Sequence, residues 1–164
     1  MNEPEPWLRG TLTNVPPVQR AVLHALELAR EDLRRWCATL NDEQLNARPL
    51  GLAPIAFHFR HIARSIDRLL TYAEGKPLSE AQLAALRTEL DGGATREELF
   101  RELALALDQA SKRLRAFPNA MLEGPRSVGQ KQLPTTVAGL LVHVADHTLR
   151  HVGQAITTSK VVDC

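Results

Sequence analysis

Four segments of this chain carry apolar side chains at helical spacing, and prolines, glycines and capping residues break the chain between them. Pro16 and Pro17 suit the first turn of the first segment. Val18, Val22, Ala25, Leu26, Leu28, Ala29, Leu33 and Trp36 mark its apolar face on the way to about Leu40. The second begins near Pro54, with Ile55, Phe59, Ile62, Ile66, Leu69 and Leu70 as its stripe, and Gly75-Lys76-Pro77 ends it. Thr95 and Glu98 form a capping box that opens the third, which Pro118 stops after Phe117. Thr135 or Thr136 caps the fourth, which runs to about Lys160.

Four such helices bury their stripes by packing against one another, so the sequence predicts an all-α protein built as a four-helix bundle. A short extra helix is expected between the second and third long helices. There Ser79 and Gln82 form another capping box, and the helix runs to about Leu90 before Asp91-Gly92-Gly93 breaks the chain. Residues 1–15, with Trp7, read as an irregular arm. Asn41–Gly51 reads as a polar connection interrupted by Pro49, and 119–134 as a loop rich in turn residues. No strand, internal repeat or dividing linker is expected, so 1–164 reads as one domain, long enough to bury a core.

The formal charge is +1 and the arginines form no block, which argues against a nucleic-acid partner. Cys37 falls in a helix and Cys164 is the last residue, so no disulfide framework is implied. The acidic, proline-broken start lacks the regions of a signal peptide, and no apolar run reaches membrane-spanning length. The expectation is a soluble, cytoplasmic protein with a small-molecule substrate and no membrane partner.

The fourth segment contains His143, His147 and His151, half of the chain's six histidines, at successive i, i+4 steps. Each step rotates about 40° around the axis, so the imidazoles stack in one row. Ring nitrogens one turn apart can share a divalent cation. Val137, Leu140, Leu141, Val144, Val152 and Ala155 define the apolar face of this helix. At about 100° per residue His151 falls within that face, His147 borders it, and His143 lies further round towards solvent. Gln154 lies near the line of His147. A third ligand must come from another helix, and His58 and His61 stand together on the second. The helical wheel places His58 nearer the core stripe than His61, so periodicity alone favours His58.

Phe57-His58-Phe59-Arg60-His61-Ile62, followed about ninety residues later by Asp146-His147-Thr148-Leu149-Arg150-His151-Val152-Gly153-Gln154, resembles the DinB/YfiT-like family of bacterial four-helix metalloproteins. The resemblance covers essentially the whole chain. It implies a metal held by one histidine of the second helix and two of the last, at the positions of His61, His147 and His151, with His58 the alternative third ligand. Arg60 departs from the small or apolar residue frequent there and brings a cation beside the site.

Three imidazoles leave a divalent ion with open positions, as catalytic sites do. Zinc and nickel are the leading candidates, with iron and manganese also compatible with imidazole donors. Such an ion lowers the pKa of a bound water or thiol. Characterised relatives use low-molecular-weight thiols such as bacillithiol or mycothiol, so the resemblance implies a metal-dependent thiol S-transferase. The alternatives are a metal-dependent hydrolase, and a non-catalytic metal- or small-molecule-binding stress protein. The sulfoxide synthases of the family carry a further catalytic domain, and the chain's end soon after the last helix speaks against that chemistry. Arg60 and Arg150 are candidates to hold a thiol cosubstrate's carboxylates. Asp146, Gln154, His58 and His143 are candidate neighbours of the pocket. A homodimer is expected, since the apolar edges of such bundles often pair.

Overall fold

Capping boxes and apolar stripes place the helices. The computed structural model describes residues 3–162; Met1, Asn2, Asp163 and Cys164 lie outside them, the last being one of the two cysteines weighed above. The long helices are α1 (Pro17–Cys37), α3 (Ile55–Ala73), α5 (Arg96–Ala116) and α6 (Val137–Val162). Two shorter ones, α2 (Asp42–Asn46) and α4 (Glu80–Arg87), lie in the connections. At the start of α5 the Thr95 hydroxyl accepts the Glu98 N–H at 3.2 Å and the Glu98 carboxylate accepts the Thr95 N–H at 2.9 Å, so two otherwise unpaired donors are satisfied. Ser79 and Gln82 do the same for α4. Thr136, not Thr135, caps α6, its hydroxyl accepting the Gly139 N–H at 3.1 Å.

Each long helix packs on two others: α6 lies between α1 and α3, and α5 closes the ring against α3 and α1. The bundle core draws Leu26, Ala29 and Leu33 from α1 and Phe59, Ile62, Ile66 and Leu70 from α3. Leu99, Leu103, Leu107, Ala110 and Leu114 come from α5, and Val137, Leu140, Leu141, Val144, Val152 and Ala155 from α6. Burying each large aliphatic side chain contributes about 1.5–3 kcal/mol. Among the described residues, no helix is long and apolar enough to cross a membrane.

Two connections differ from the sequence reading. Asn41–Gly51 is not wholly irregular. Asn41 caps α2 through a reciprocal box with Gln44, at 2.8 and 3.0 Å, and Leu45 is buried beneath it. The helix is too short to show an apolar period, which is why its segment reads as a connection. The segment 119–134 was expected to lack strands. It contains an antiparallel hairpin of β1 (Pro125–Val128) and β2 (Leu133–Thr136), with Pro125 opposite Thr136 and Val128 opposite Leu133. Each strand is four residues long and carries a proline, so neither shows apolar alternation. Positive φ at Gly129 and Gln132 turns the chain between them. The helical class is unaffected. The hairpin is an addition at one end of the bundle, leading directly into α6. In addition, α1 ends at Cys37 rather than Leu40, and α4 at Arg87 rather than Leu90.

Leu107 lies in the middle of the α5 stripe, 2 % exposed. Leu107→Ala should cost about 2–5 kcal/mol, and loss of the Thr95 cap in Thr95→Ala about 1 kcal/mol. Urea unfolding of the two variants against wild type reads both, and equal midpoints for all three would contradict this account of the bundle.

Candidate metal centre

The apolar stripes of α3 and α6 are interrupted at the same level, and there the histidines meet. On α6, Val144 and Val152 continue the core above and below, while His147, Thr148 and His151 occupy the turns between them. On α3 the matching interruption is His58, His61 and Ser65. Because α3 and α6 pack side by side, the two polar breaks face each other. His61, His147 and His151 each offer a ring nitrogen, and these atoms all lie within 4.8 Å of one another. The ring centroids of His61 lie 5.0 Å from His147 and 4.3 Å from His151.

The hydrogen bonds show which nitrogen each ring presents. His61 Nδ1 donates to Glu89 Oε2 at 2.6 Å, and its Nε2 lies 3.3 Å from Nε2 of His147. His147 Nδ1 has a long contact, 3.5 Å, with the hydroxyl of Ser65, which itself donates to the Ile62 carbonyl. His151 Nδ1 lies 3.0 Å from Nδ1 of His58. All three Nδ1 atoms are thus engaged outside the cluster, which leaves Nε2 of each ring for a shared ligand. Keeping Nε2 of His151 free of its proton makes Nδ1–H the donor to His58, which then carries its own proton on Nε2. Metal-ligating histidines commonly use their second nitrogen in this way, which fixes ring orientation and tautomer.

Burial keeps the rings of His58, His147 and His151 neutral at pH 7. Desolvation, reinforced by the neighbouring His61, lowers His58 and His147 to about 4 and His151 to about 3. A metal must otherwise displace a proton from each ligand, so rings already neutral at pH 7 suit coordination. The donor set of three imidazoles fits a borderline divalent ion such as zinc or nickel. Burial pushes the Glu89 carboxyl upward, but the hydrogen bonds from His61 and Arg68 outweigh it and hold the group below its ordinary range.

The remaining candidates divide by position. His58 is buried, 4 % exposed, where the helical wheel put it, and touches His151 from behind. His143 is half-exposed, its Nδ1 2.9 Å from Asp146, which also accepts from Arg150 at 3.4 Å. This is a surface cluster one turn from the site, of the kind that adds little stability. Arg60 donates to the Asp91 carbonyl, towards the α4–α5 connection. Arg150 and Gln154 line a cleft of about 710 Å³ beside the histidines, together with Leu52, Ala53, Phe57, His58 and His151. Phe57 stacks on His61 with centroids 5.2 Å apart and meets His58 edge-on at 5.2 Å, so an aromatic wall joins cleft to cluster.

Three contributors escaped the sequence reading. Ser65 lies one turn beyond His61 on the same face, a spacing that could have singled it out. Phe57 stood inside the quoted motif but carries no chemistry that marks it. Glu89 had no local signal, since it reaches His61 from a different connection.

The depressed histidines set a pH window. In the unfolded chain these rings take up protons below about 6.5, whereas in the folded metal-free protein they do so only near 4 and 3. The unfolded state binds more protons between those limits, so these rings make stability fall as the pH drops from about 6.5 to about 3. Urea midpoints of chelator-treated protein across that range should show the decline, and His151→Gln should make it shallower. A flat profile would rule out buried neutral imidazoles.

Comparison with known proteins agrees with this architecture. The model of the DinB superfamily matches residues 25–155, a span that contains every histidine of the cluster. A conserved protein from Enterococcus faecalis has a crystal structure that superposes with a TM-score of 0.73 at 20% sequence identity, covering 90% of this chain and 98% of that one. That likeness concerns the fold. No curated protein matches the sequence. Stripes, polar breaks and matched span together lead to one assignment: the chain belongs to the DinB superfamily.

Proposed function

We propose that the protein is a metal-dependent enzyme, a transferase that joins a low-molecular-weight thiol to an electrophile. The observation that carries this reading is the convergence of His61, His147 and His151 from two helices, with ligand atoms within 4.8 Å of one another and a cleft alongside. These three residues would hold the ion through Nε2, while Glu89, Ser65 and His58 orient them from outside. A divalent ion bound there supplies Lewis acidity, lowering the pKa of a thiol or water that shares it.

The chain's own groups define the rest. Cys37 is fully buried and its thiol is pushed up to about 12 by desolvation, so it is no nucleophile. Among the described residues none supplies a reactive thiol, and this reading takes the thiol from a cosubstrate. The cleft is wide enough for one, with an apolar wall of Leu52, Ala53 and Phe57 and polar groups from Gln154, Thr157 and Arg150. Phe57 covers the rings of His61 and His58 and keeps water from that side, and Arg150 at the rim offers a cation to a carboxylate. This polar-and-apolar lining suits a small, charged thiol carrying an apolar electrophile to the histidines.

The test is conjugation of a generic electrophile to several bacterial thiols by protein loaded with zinc or nickel. Wild type should turn over only with metal and thiol both present. His147→Ala should lose activity by more than the about 10–100-fold typical of removing an outer partner of a ligand. Equal rates for the two proteins would defeat the proposal. Turnover without thiol would point to hydrolysis, and tight metal binding without turnover to a binding protein.

A further inference from the structure

The α4–α5 connection inverts the usual pattern of burial. Leu90 is 56 % exposed, while its neighbour Glu89 is 5 % exposed. A carboxylate is among the groups least often buried, and burying it in place of leucine requires compensating partners. Glu89 has two, one on each oxygen: Arg68 donates to Oε1 at 2.6 Å and His61 Nδ1 to Oε2 at 2.6 Å.

The connection is held on α3 by a row of arginines. Arg60, Arg64 and Arg68 follow at i, i+4 steps and therefore share one face. Arg60 donates to the Asp91 carbonyl, Arg64 to the Ala85 carbonyl at 2.7 Å and the Thr88 hydroxyl at 3.0 Å, and Arg68 to Glu89. From the other side the Asn46 side chain donates to the Ala94 carbonyl at 2.9 Å and accepts the Gly93 N–H at 2.9 Å. These bonds secure the segment whether or not Glu89 reaches His61. Its second oxygen is therefore surplus to the fastening and is spent on the histidine.

We propose that Glu89 is a positioning residue of the three-histidine site, accepting the Nδ1–H of His61 so that Nε2 faces His147 and His151 without a proton. It is oriented by Arg68 and makes the α4–α5 connection part of the site. The inference rests on the metal reading above and adds to it a carboxylate from outside both histidine segments. A free neutral imidazole favours the Nε2–H form, which would block the ligand nitrogen; the carboxylate reverses that preference. An acceptor of this kind also strengthens the ring as a donor to a metal.

Two measurements test it. In metal-free protein, long-range proton–nitrogen correlation NMR reads the His61 tautomer: Nδ1–H in wild type and in Glu89→Gln, which keeps an acceptor, but shifted to Nε2–H in Glu89→Ala. In the second, cobalt(II) is titrated into each metal-free protein and followed by its visible absorbance. Affinity should fall in the order wild type, Glu89→Gln, Glu89→Ala, the last by about 10–100-fold. Wild type and Glu89→Ala binding cobalt(II) equally, or an unchanged tautomer in Glu89→Ala, would overturn the role of Glu89 and leave the metal reading standing. A wild type that binds no cobalt(II) would overturn both. Glu89→Gln preserves volume and acceptor, so equal affinity and identical absorbance for it and wild type would overturn the charge's contribution even if Glu89→Ala fails to fold.

Discussion

The packing of α3 against α6 is the contact on which the site depends. Each helix presents an apolar stripe that is broken over one to two turns by histidine and a small hydroxyl residue. Burying polar groups is costly unless they are paired, and the facing helix supplies partners here, Ser65 to His147 and His58 to His151. The two breaks coincide. Ile62 and Ile66 on one helix, and Val144 and Val152 on the other, enforce that register by burying apolar surface on either side of it. The same contacts that stabilise the bundle thus bring three imidazoles together without a loop to carry them. A site built on helices is held more rigidly than one built on loops.

A half-buried cluster of imidazoles is stable only with its remaining nitrogens satisfied. Glu89, Ser65 and His58 supply those outer contacts, and they differ in kind: a carboxylate, a hydroxyl and another neutral ring. The carboxylate comes with its own counter-ion, Arg68, so the pair adds no net charge beside the rings. Of the cluster, His151 reaches the cleft, beside His58 and Phe57, and Phe57 also stacks on His61.

Much of this was legible in the chain, for reasons that differ between elements. The long helices announced themselves because an apolar stripe repeats several times over their length. Thr95–Glu98 and Ser79–Gln82 marked two starts through side chains that pair only with their own first turn. Helix α2 and the hairpin were missed because five or four residues cannot display a period. The i, i+4 spacing made the row from His143 to His151 visible, and the helical wheel separated exposed His143 from the two that point inward. The same wheel placed His58 inside, and it is buried, yet the atoms that converge with His147 and His151 belong to His61. Burial and convergence are separate properties, and a wheel reports only the first.

By itself the sequence determined the helical class, the long helices and their inward faces, since these follow from spacing within one segment. It also marked two places, on α3 and α6, where polar side chains interrupt a buried stripe. Only the tertiary structure decided which histidines share a centre and which nitrogen each one turns towards it. Only the structure, too, brought Glu89 from a distant connection to lie behind His61. Those outcomes depend on the register between helices and on the path of a connection fastened by Arg60, Arg64 and Arg68. Both are set by contacts between residues far apart in the chain, and local spacing carries no record of them.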